Sequence, residues 1–425
     1  MSKKPSLVFA DLEGKIYDWS ELEMVGRGGK GFQRLETGDW IPLPEGSELF
    51  LLPRRYPVGY HPQRRTFETL SRNPFDRGKP VQAVAAFVAP AHTQLFLAAY
   101  QTLPEAPLLP LFAYTAVGWL DGRFVAAALR IDSDQRQDFR HFDPDRIRRN
   151  ARRRMERDRS NRLVQHLGKC ALSYGCPAAR NLFLSRWEAP LPTSPVCNAR
   201  CLGCISLQER TGLKATQERI RFVPTPEEIA EVAVPHLKEA ERAVVSFGQG
   251  CEGEPLLQGP TLEKSVKLMR TATPRGTIHL NTNGSLPRRV AKLCEEGLDS
   301  IRVSLNSCRP GPYQRYFRPR DYSFESLIES LKIVKSRGGF ASINYFVHPG
   351  FTDSEEEWSA LRRFLDETRI NLIQMRNLNI DPEWYEKSLG LPEDDRSMGM
   401  RRLIDRLRSS YPDVRLGYFN PPVRG

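Results

Sequence analysis

The sequence has 425 residues, of which 40% are hydrophobic and 27% charged, a balance that excludes disordered and fibrous proteins. Lys and Arg outnumber Asp and Glu by 63 to 51, and the net charge of +12 favours acidic partners without identifying one. No secretory signal follows Met1, and the most apolar stretch, residues 83–100, contains a proline and several polar residues. We therefore expect a cytoplasmic protein without membrane contact, in which eight cysteines serve metal or redox chemistry rather than disulfides.

Residues 1–135 are predicted to form a β-rich domain. The Asp121-Gly122 pair suits the tight turn of a hairpin between two apolar runs, and residues 11–14 form a turn-like spacer between two others. The predicted strands are residues 7–10, 15–18, 48–52, 81–88, 112–120 and 123–131. No catalytic signature occurs here, so the domain is interpreted as a substrate-recruitment or interaction module.

Residues 136–185 are predicted to form an Arg-rich helical linker. Residues 136–169 contain twelve Arg and Lys against five acidic residues. Asp143 followed by proline is typical of a helix start, and Ile147, Ala151 and Met155 recur every four residues as one narrow apolar stripe. Either this is a solvated linker helix, or its arginines contact the phosphates of RNA or another anionic substrate.

From residue 186 to about 410 short apolar runs alternate with helical segments. Thr225 and Glu228 form a capping box, Ser323 and Asp353 precede two further helices, and Gly297 ends another. The predicted strands are residues 191–196, 244–247, 277–280, 300–305, 341–347 and 371–375. This alternation predicts an α/β fold with a parallel sheet, a partial (β/α)6 TIM-like barrel, which residues 411–425 follow as a C-terminal tail.

Cys197, Cys201 and Cys204 lie within eight residues, directly after the first predicted strand of the barrel. A parallel barrel places its functional loops at the carboxyl ends of its strands. A structural zinc needs four ligands, and no second cysteine or histidine pair follows downstream; a disulfide would leave one cysteine over. Three close thiolates can hold three corners of a four-iron cluster and leave the fourth iron to a non-protein ligand.

This Cys-x3-Cys-x2-Cys spacing resembles the signature of the radical S-adenosylmethionine (SAM) superfamily. The resemblance implies a [4Fe-4S] cluster on Cys197, Cys201 and Cys204 whose open iron binds SAM. It further implies reductive cleavage of SAM to a 5′-deoxyadenosyl radical that abstracts hydrogen from a substrate, in an oxidoreductase or a transferase. The family usually has an aromatic residue before the last cysteine, whereas this chain has Leu202 and Gly203, and Leu202 can still shield the cluster.

Later strand ends carry the same resemblance. Gly253-Glu254-Pro255 is similar to the family's Gly-Gly-Glu-Pro element, which implies that it binds the amino group of SAM; Glu252 replaces the first glycine. The strand end at Asn283 resembles the Thr-Asn-Gly element of the family. Further cofactor contacts are implied at the ribose-contacting segment, Ser304 and Asn306, and in the Pro-Gly-x-x-Asp loop, Gly350.

The remaining cysteines leave alternatives open. Cys170 and Cys176 are either a buried packing pair or two ligands of a second iron–sulfur cluster. Cys251 lies inside the Gly-rich loop and is either a small buried residue or a catalytic acid, hydrogen donor or nucleophile. Cys294 and Cys308 are interpreted as packing residues.

The leading hypothesis is a radical SAM enzyme whose N-terminal module and basic helix recruit a peptide, protein or RNA. The same chemistry on a small metabolite is the second hypothesis. A non-catalytic iron–sulfur electron carrier or a metal-stabilised nucleic-acid binder is the third, although neither role needs a nucleotide pocket. The resemblance also implies an electron donor such as flavodoxin or ferredoxin.

Overall fold

A computed structural model of the chain describes residues 3–28, 31–76, 78–208, 211–391 and 397–424. The chain divides into two compact units. Unit 1 comprises residues 1–133, 346–361 and 375–412, and unit 2 comprises residues 134–345, 362–374 and 413–425. Within the described ranges no helix is both long and apolar enough to cross a membrane.

Unit 1 is built mainly from short antiparallel strands. They are β1 Ser6–Ala10, β2 Ile16–Gly28, β3 Gly31–Arg34, β4 Ile41–Pro42, β5 Glu48–Leu52, β6 Arg55–His61, β7 Thr66–Thr69, β8 Gln82–Phe87, β9 His92–Gln94, β10 Leu97–Ala98, β11 Tyr100–Thr102, β12 Val117–Leu120, β13 Arg123–Ala126 and β14 Ala128–Arg130. The main sheet runs β11-β6-β2-β1-β12-β13-β4, with β8 pairing β1 and β5. Alternate residues of β1 and β8, such as Val8, Ala10 and Val84, are buried in one apolar core.

The hairpin predicted around Asp121 and Gly122 is confirmed. Both residues have positive φ angles, 49° and 78°, as the tight turn between β12 and β13 requires. The first strand of this hairpin is shorter than predicted, because regular pairing starts only at Val117.

Unit 2 begins with three helices, α1 Pro144–Arg157, α2 Arg162–Leu172 and α3 Pro177–Phe183. The predicted start of α1 is confirmed, since the Asp143 carboxylate accepts hydrogen bonds from the N–H groups of Asp145 and Arg146, both at 3.0 Å. Ile147 and Ala151 are the buried residues of this helix, so its apolar stripe is as narrow as the sequence indicates.

The rest of the chain alternates strand and helix. The strands are β15 Glu188–Pro190, β16 Val244–Phe247, β17 Thr277–Thr282, β18 Ser300–Leu305, β19 Phe340–Val347, β20 Leu372–Asn377 and β21 Arg415–Gly417. The helices are α4 Pro226–Glu239, α5 Gly259–Ala272, α6 Pro287–Glu296, α7 Pro310–Phe317, α8 Phe324–Ser336, α9 Glu355–Thr368, α10 Pro382–Leu389 and α11 Met400–Ser410.

Within the described residues these strands form one seven-stranded parallel sheet in sequential order, β15 to β21, so the predicted partial barrel is confirmed. In β18, Ile301, Val303 and Leu305 are fully buried. The alternate residues of the same strands carry polar side chains that hydrogen-bond to one another. For example, the Arg302 guanidinium donates to the side-chain oxygen Oε1 of Gln374 at 2.6 Å. The sheet therefore has one apolar face and one polar face.

Two details of the barrel differ from prediction, the position of the first strand and the role of residues 411–425, which are predicted as a tail but contribute a seventh strand, Arg415–Gly417. The first strand is Glu188–Pro190, and residues 191–196, predicted as the strand, form an extended loop that follows it. The prediction placed the strand too late because it followed the apolar residues, and Leu191 is buried although it lies outside the strand. The capping box at Thr225 and the helix end at Gly297, with φ of 108°, are confirmed.

Candidate active site

The three cysteines lie on the loop after β15, and residues 196–204 are called the cysteine hook from here on. Segment 316–320, at and beyond the end of α7, fixes this hook through backbone hydrogen bonds. The N–H groups of Arg200 and Leu202 donate to the carbonyls of Phe317 and Tyr316 at 2.9 and 3.0 Å. Leu202, which lies between the last two cysteines of the hook, is apolar and only 3% exposed, as a cover over a cluster requires.

The hook thiols face one another in a desolvated environment. Burial, reinforced by the nearby Glu254 carboxylate, raises the pKa of Cys197 to about 11. Burial, together with the charges of Cys204 and Cys197, raises the pKa of Cys201 far above its usual value. A metal that binds here must overcome this desolvation, because the metal-binding form of cysteine is the thiolate.

The hook does not form a site for a single ion. Among the described residues, one group of three His, Cys, Asp or Glu ligand atoms lies within 4.8 Å of one another, and it is elsewhere. A tetrahedral zinc would hold two thiolate sulfurs about 3.8 Å apart, given Zn–S bonds of about 2.3 Å. Three all-sulfur donors spread more widely than one ion allows suit the separate iron corners of a cluster.

The Gly-rich loop, residues 248–254, packs directly against the hook. The N–H groups of Gly253 and Glu254 donate to the carbonyls of Ser194 and Val196 at 2.6 and 2.8 Å. A Cβ on Gly253 would lie 1.9 Å from the Val196 carbonyl oxygen, so only glycine fits. The glycine predicted from the motif is thus required by contact between two segments of the chain itself.

Glu252 and Glu254 fix this loop through buried carboxylates, each of which accepts three hydrogen bonds from other residues of the protein. Glu252 accepts hydrogen bonds from the backbone N–H groups of Thr193, Ser194 and Gln249 at 2.7–2.9 Å. Glu252 thus replaces the expected glycine by bracing the segment that leads into the hook.

Glu254 ties the loop to the end of β17. Its carboxylate accepts hydrogen bonds from the Thr282 hydroxyl at 2.5 Å, the Asn283 N–H at 2.8 Å and the Leu256 N–H at 3.0 Å. Burial raises the pKa of Glu254 to about 7 against the opposing effect of these donors. The carboxylate predicted to meet the SAM amino group is therefore also a strut within the protein. Pro255 follows it as the start of a short 3-10 turn, Pro255–Gln258.

Asn283 joins the three motif segments. Its backbone N–H donates to the Glu254 carboxylate, and its side-chain amide donates to the side-chain oxygen Oδ1 of Asn198 in the hook at 2.8 Å. Asn198 in turn donates to the Ser285 hydroxyl at 3.0 Å. The hook, the Gly-rich loop and the β17 end, which are far apart in sequence, are thus connected by hydrogen bonds.

The other predicted cofactor contacts are placed less directly. On β18, Ser304 is half-buried, and Asn306, just after it, is buried and donates to the Pro312 carbonyl at 3.3 Å. Gly350 belongs to unit 1, where its N–H donates to the Asp353 carboxylate at 2.6 Å. Their roles toward SAM stay predictions.

Arg219 and Tyr322 are functional candidates that the sequence did not reveal, whereas the run Tyr313 to Tyr316 is predicted to border the cavity. The Arg219 guanidinium donates to the Cys204 sulfur at 3.3 Å and to the Ser206 hydroxyl at 3.2 Å. The Tyr313 and Tyr322 hydroxyls are 3.1 Å apart and lie close enough to Cys201 for its charge to raise the pKa of both phenols, after burial. No motif marks Arg219 or Tyr322, because they reach the hook only through folding.

A second group of sulfur-containing side chains lies at Cys251 of the Gly-rich loop. His166 Nε2 is 3.4 Å from Cys251 Sγ and 3.5 Å from Cys170 Sγ. A hydrogen bond from Cys251, aided by His166, lowers the pKa of Cys170 and correspondingly raises that of Cys251. Cys176 is half-buried, and its N–H donates to the Cys170 carbonyl at 3.1 Å. The catalytic role predicted for Cys251 is not tested by these contacts.

Comparison with known proteins gives the same class as the geometry. Residues 191–361 match the family model described as the Radical SAM superfamily. The chain is 29% identical over 208 residues to "GTP 3',8-cyclase 2" of Mycobacterium tuberculosis (strain ATCC 25618 / H37Rv), covering 47% of this chain and 52% of the relative. It is 25% identical over 224 residues to "Molybdenum cofactor biosynthesis protein 1" of Bos taurus, covering 51% of this chain and 31% of that protein. The chain thus spans about half the length, or less, of these curated relatives.

Solved structures with a similar course of the chain include the following two. Streptococcus suis SuiB bound to precursor peptide SuiA has a TM-score of 0.40 at 14% identity, over 60% of this chain and 53% of that one. Methylornithine synthase (PylB) has a TM-score of 0.39 at 14% identity, over 67% and 77%.

Together, a parallel half barrel and a three-thiol loop after its first strand define an enzyme class built around an iron–sulfur cluster. The matched segment then gives the family of this part of the chain: residues 191–361 match the radical SAM superfamily.

Proposed function

We propose that this protein binds a [4Fe-4S] cluster on Cys197, Cys201 and Cys204 and cleaves SAM reductively to abstract hydrogen from a substrate. The observation that carries the proposal is the hydrogen-bonded junction of the hook, the Gly-rich loop and the β17 end, centred on Glu254 and Asn283. A simple electron carrier would need the thiolates but not this junction.

When bound, the cluster supplies the electron and the open iron at which SAM is held. The residues of the chain position SAM and exclude water from the site. Glu254, Gly253 and Asn283 fix the loop that would face the methionyl end of SAM, and buried Leu202 limits the access of water. Arg219 adds a positive charge at the Cys204 sulfur, which favours the reduced cluster.

The test is anaerobic reconstitution with iron and sulfide, followed by reduction with dithionite in the presence of SAM. We expect about four irons per chain at the hook and formation of 5′-deoxyadenosine. The Cys201→Ala variant should form none, and Cys294→Ala, a half-buried cysteine on α6, should behave as the wild type. A fully loaded wild type that leaves SAM intact would contradict the proposal.

The substrate is proposed to be a macromolecule, a peptide, protein or RNA. Support comes from the arginine face of α1, whose exposed members include Arg149, Arg152 and Arg153. Several exposed cations on one helix attract polyanions in a salt-dependent manner. A flavodoxin or ferredoxin is proposed as the electron donor.

A small anionic metabolite is the second candidate, and the name of the mycobacterial relative, a GTP cyclase, favours it. The two candidates separate when ultrafiltered cell extract is tested for its ability to stimulate 5′-deoxyadenosine formation. The macromolecular proposal expects stimulation by the retained fraction, which falls in the Arg149→Ala/Arg152→Ala double variant. Stimulation by the filtrate or by GTP alone would favour the small substrate.

Cys170 and Cys176 are either a packing pair or two ligands of a second iron–sulfur cluster, and iron counts separate these alternatives. About eight irons and eight sulfides per chain would indicate a second cluster, whereas about four would leave only the hook cluster.

A further inference from the structure

The cluster of His166, Cys170 and Cys251, called the sulfur trio here, lies outside the cysteine hook. Its three ligand atoms lie within 4.8 Å of one another, the one such group of His, Cys, Asp or Glu among the residues that the structure describes. Cys170 and Cys251 are 2% and 5% exposed, and His166 is half-buried. Buried polar atoms need partners, and here one imidazole nitrogen faces two sulfurs at once.

The distances within the trio suit a single ion. Nε2 of His166 is 3.4 Å from one sulfur and 3.5 Å from the other. A tetrahedral zinc with bonds of about 2.3 Å to sulfur and about 2.0–2.1 Å to nitrogen separates these atoms by about 3.6 Å. In the absence of an ion the three groups hydrogen-bond to one another, and the near-equal distances from Nε2 to the two sulfurs are also those that a shared central ion requires.

The elements that carry the trio are held independently of any ion. His166 and Cys170 lie four residues apart on one face of α2. The Arg162 guanidinium pairs with Glu228 of α4, and Asn161 caps the start of α2. The backbone carbonyl of Cys251 accepts a hydrogen bond from Ile220 at 2.8 Å. The trio is therefore preorganised, because its donors are brought together by packing before any ligand binds.

We propose that His166, Cys170 and Cys251 form a second metal site, which holds one zinc-class divalent cation with a fourth coordination position left open by the protein. Two thiolates with one imidazole form a donor set that zinc prefers, and an all-sulfur cubane would need more widely spaced cysteines. The ion links α2 to the Gly-rich loop two residues before Gly253.

The proposal is tested by metal analysis of a variant with Cys197, Cys201 and Cys204 all changed to Ala, so that the result does not depend on the hook cluster. We expect about one zinc per chain to remain in this variant. Changing His166, Cys170 or Cys251 to Ala in that background should lower zinc affinity at least on the order of 10–100-fold. Cys294→Ser is the matched control and should keep the zinc, as should Cys176→Ser.

Cobalt substitution of the otherwise unchanged full chain guards against variants that fail to fold. A tetrahedral cobalt site with two thiolates shows strong d–d bands and a sulfur-to-metal charge-transfer band. Their appearance with one cobalt per chain supports the site. The absence of both zinc and these bands would overturn it, as would iron and sulfide bound at the trio instead. Loss of zinc in Cys176→Ser would overturn the open fourth position.

Discussion

The cysteine hook and the sulfur trio are two sulfur-rich sites that both involve the Gly-rich loop. They differ in how their donor atoms are spaced in the sequence and in the structure. The hook has three cysteines within eight residues and no compact ion-sized geometry. The trio has ligand atoms within 4.8 Å, but His166 and Cys251 are 85 residues apart in sequence. The comparison teaches that neighbouring positions in sequence do not bring the three hook sulfurs within 4.8 Å of one another, whereas folding does so for ligand atoms that are far apart in sequence.

Removing one hook cysteine at a time tests most strongly whether the hook and the trio bind metal independently. Cys197→Ala, Cys201→Ala and Cys204→Ala should each reduce 5′-deoxyadenosine formation to background, because each removes an iron ligand. Zinc at the trio should be unchanged in all three variants. The measurements are product analysis by chromatography and parallel iron and zinc counts, and full activity in any variant would remove that cysteine from the ligand set.

Gly253→Ala should damage both sites, because the new Cβ would lie 1.9 Å from the Val196 carbonyl oxygen. The loop must shift away from the hook, at a cost of about 1–3 kcal/mol in the free energy of unfolding. Thermal unfolding and SAM binding measure this effect. Gly311→Ala is the control, because the nearest atom to its new Cβ would be 3.8 Å away, and it should leave thermal unfolding and SAM binding unchanged. Equal behaviour of the two variants would show that the close approach has no energetic weight.

Glu254→Gln should weaken SAM binding on the order of tenfold while leaving iron content intact. The amide nitrogen would face at least one of the donors that the carboxylate now accepts, from Thr282, Asn283 and Leu256. Isothermal titration with SAM is the measurement, and Glu295→Gln, on the exposed side of α6, is the matched control. Unaltered affinity would exclude Glu254 from both direct contact and positioning.

Arg219→Gln is expected to have the smallest effect, a fall in the reduction potential of the hook cluster on the order of 50 mV. The guanidinium now donates to the Cys204 sulfur at 3.3 Å, and its positive charge stabilises the more negative, reduced cluster. A redox titration followed by electron paramagnetic resonance measures the shift. Arg219→Lys keeps the positive charge, so its reduction potential should lie between those of Arg219→Gln and the wild type. An unchanged or higher potential in Arg219→Gln would contradict this role.

Much of the barrel was predictable because its signals are local. Strands Val244–Phe247 and Ser300–Leu305 have the predicted bounds, and the Thr225 capping box forms as its residues indicate. The hook was predictable for the same reason, since its three cysteines are neighbours in sequence. The first strand was placed too late because burial of Leu191 does not depend on strand pairing.

The rest depends on contacts between distant segments. Arg219 reaches Cys204 from a loop with no motif, and Cys251 meets Cys170 only after the Gly-rich loop has packed beside α2. The reason for Gly253 was also hidden, because its partner is the Val196 carbonyl rather than a feature of its own turn. Sequence patterns identify residues that act within one segment, and they miss residues whose partners are set by the fold.

The central claim is that the hook cluster binds SAM through an iron that the protein leaves open. Its most direct test is the electron paramagnetic resonance spectrum of the reduced, reconstituted protein, recorded with and without SAM. The account predicts a clear change in the cluster signal on addition of SAM, and no cluster signal at all in the variant lacking the three hook cysteines. A cluster spectrum that is identical with and without SAM would contradict it.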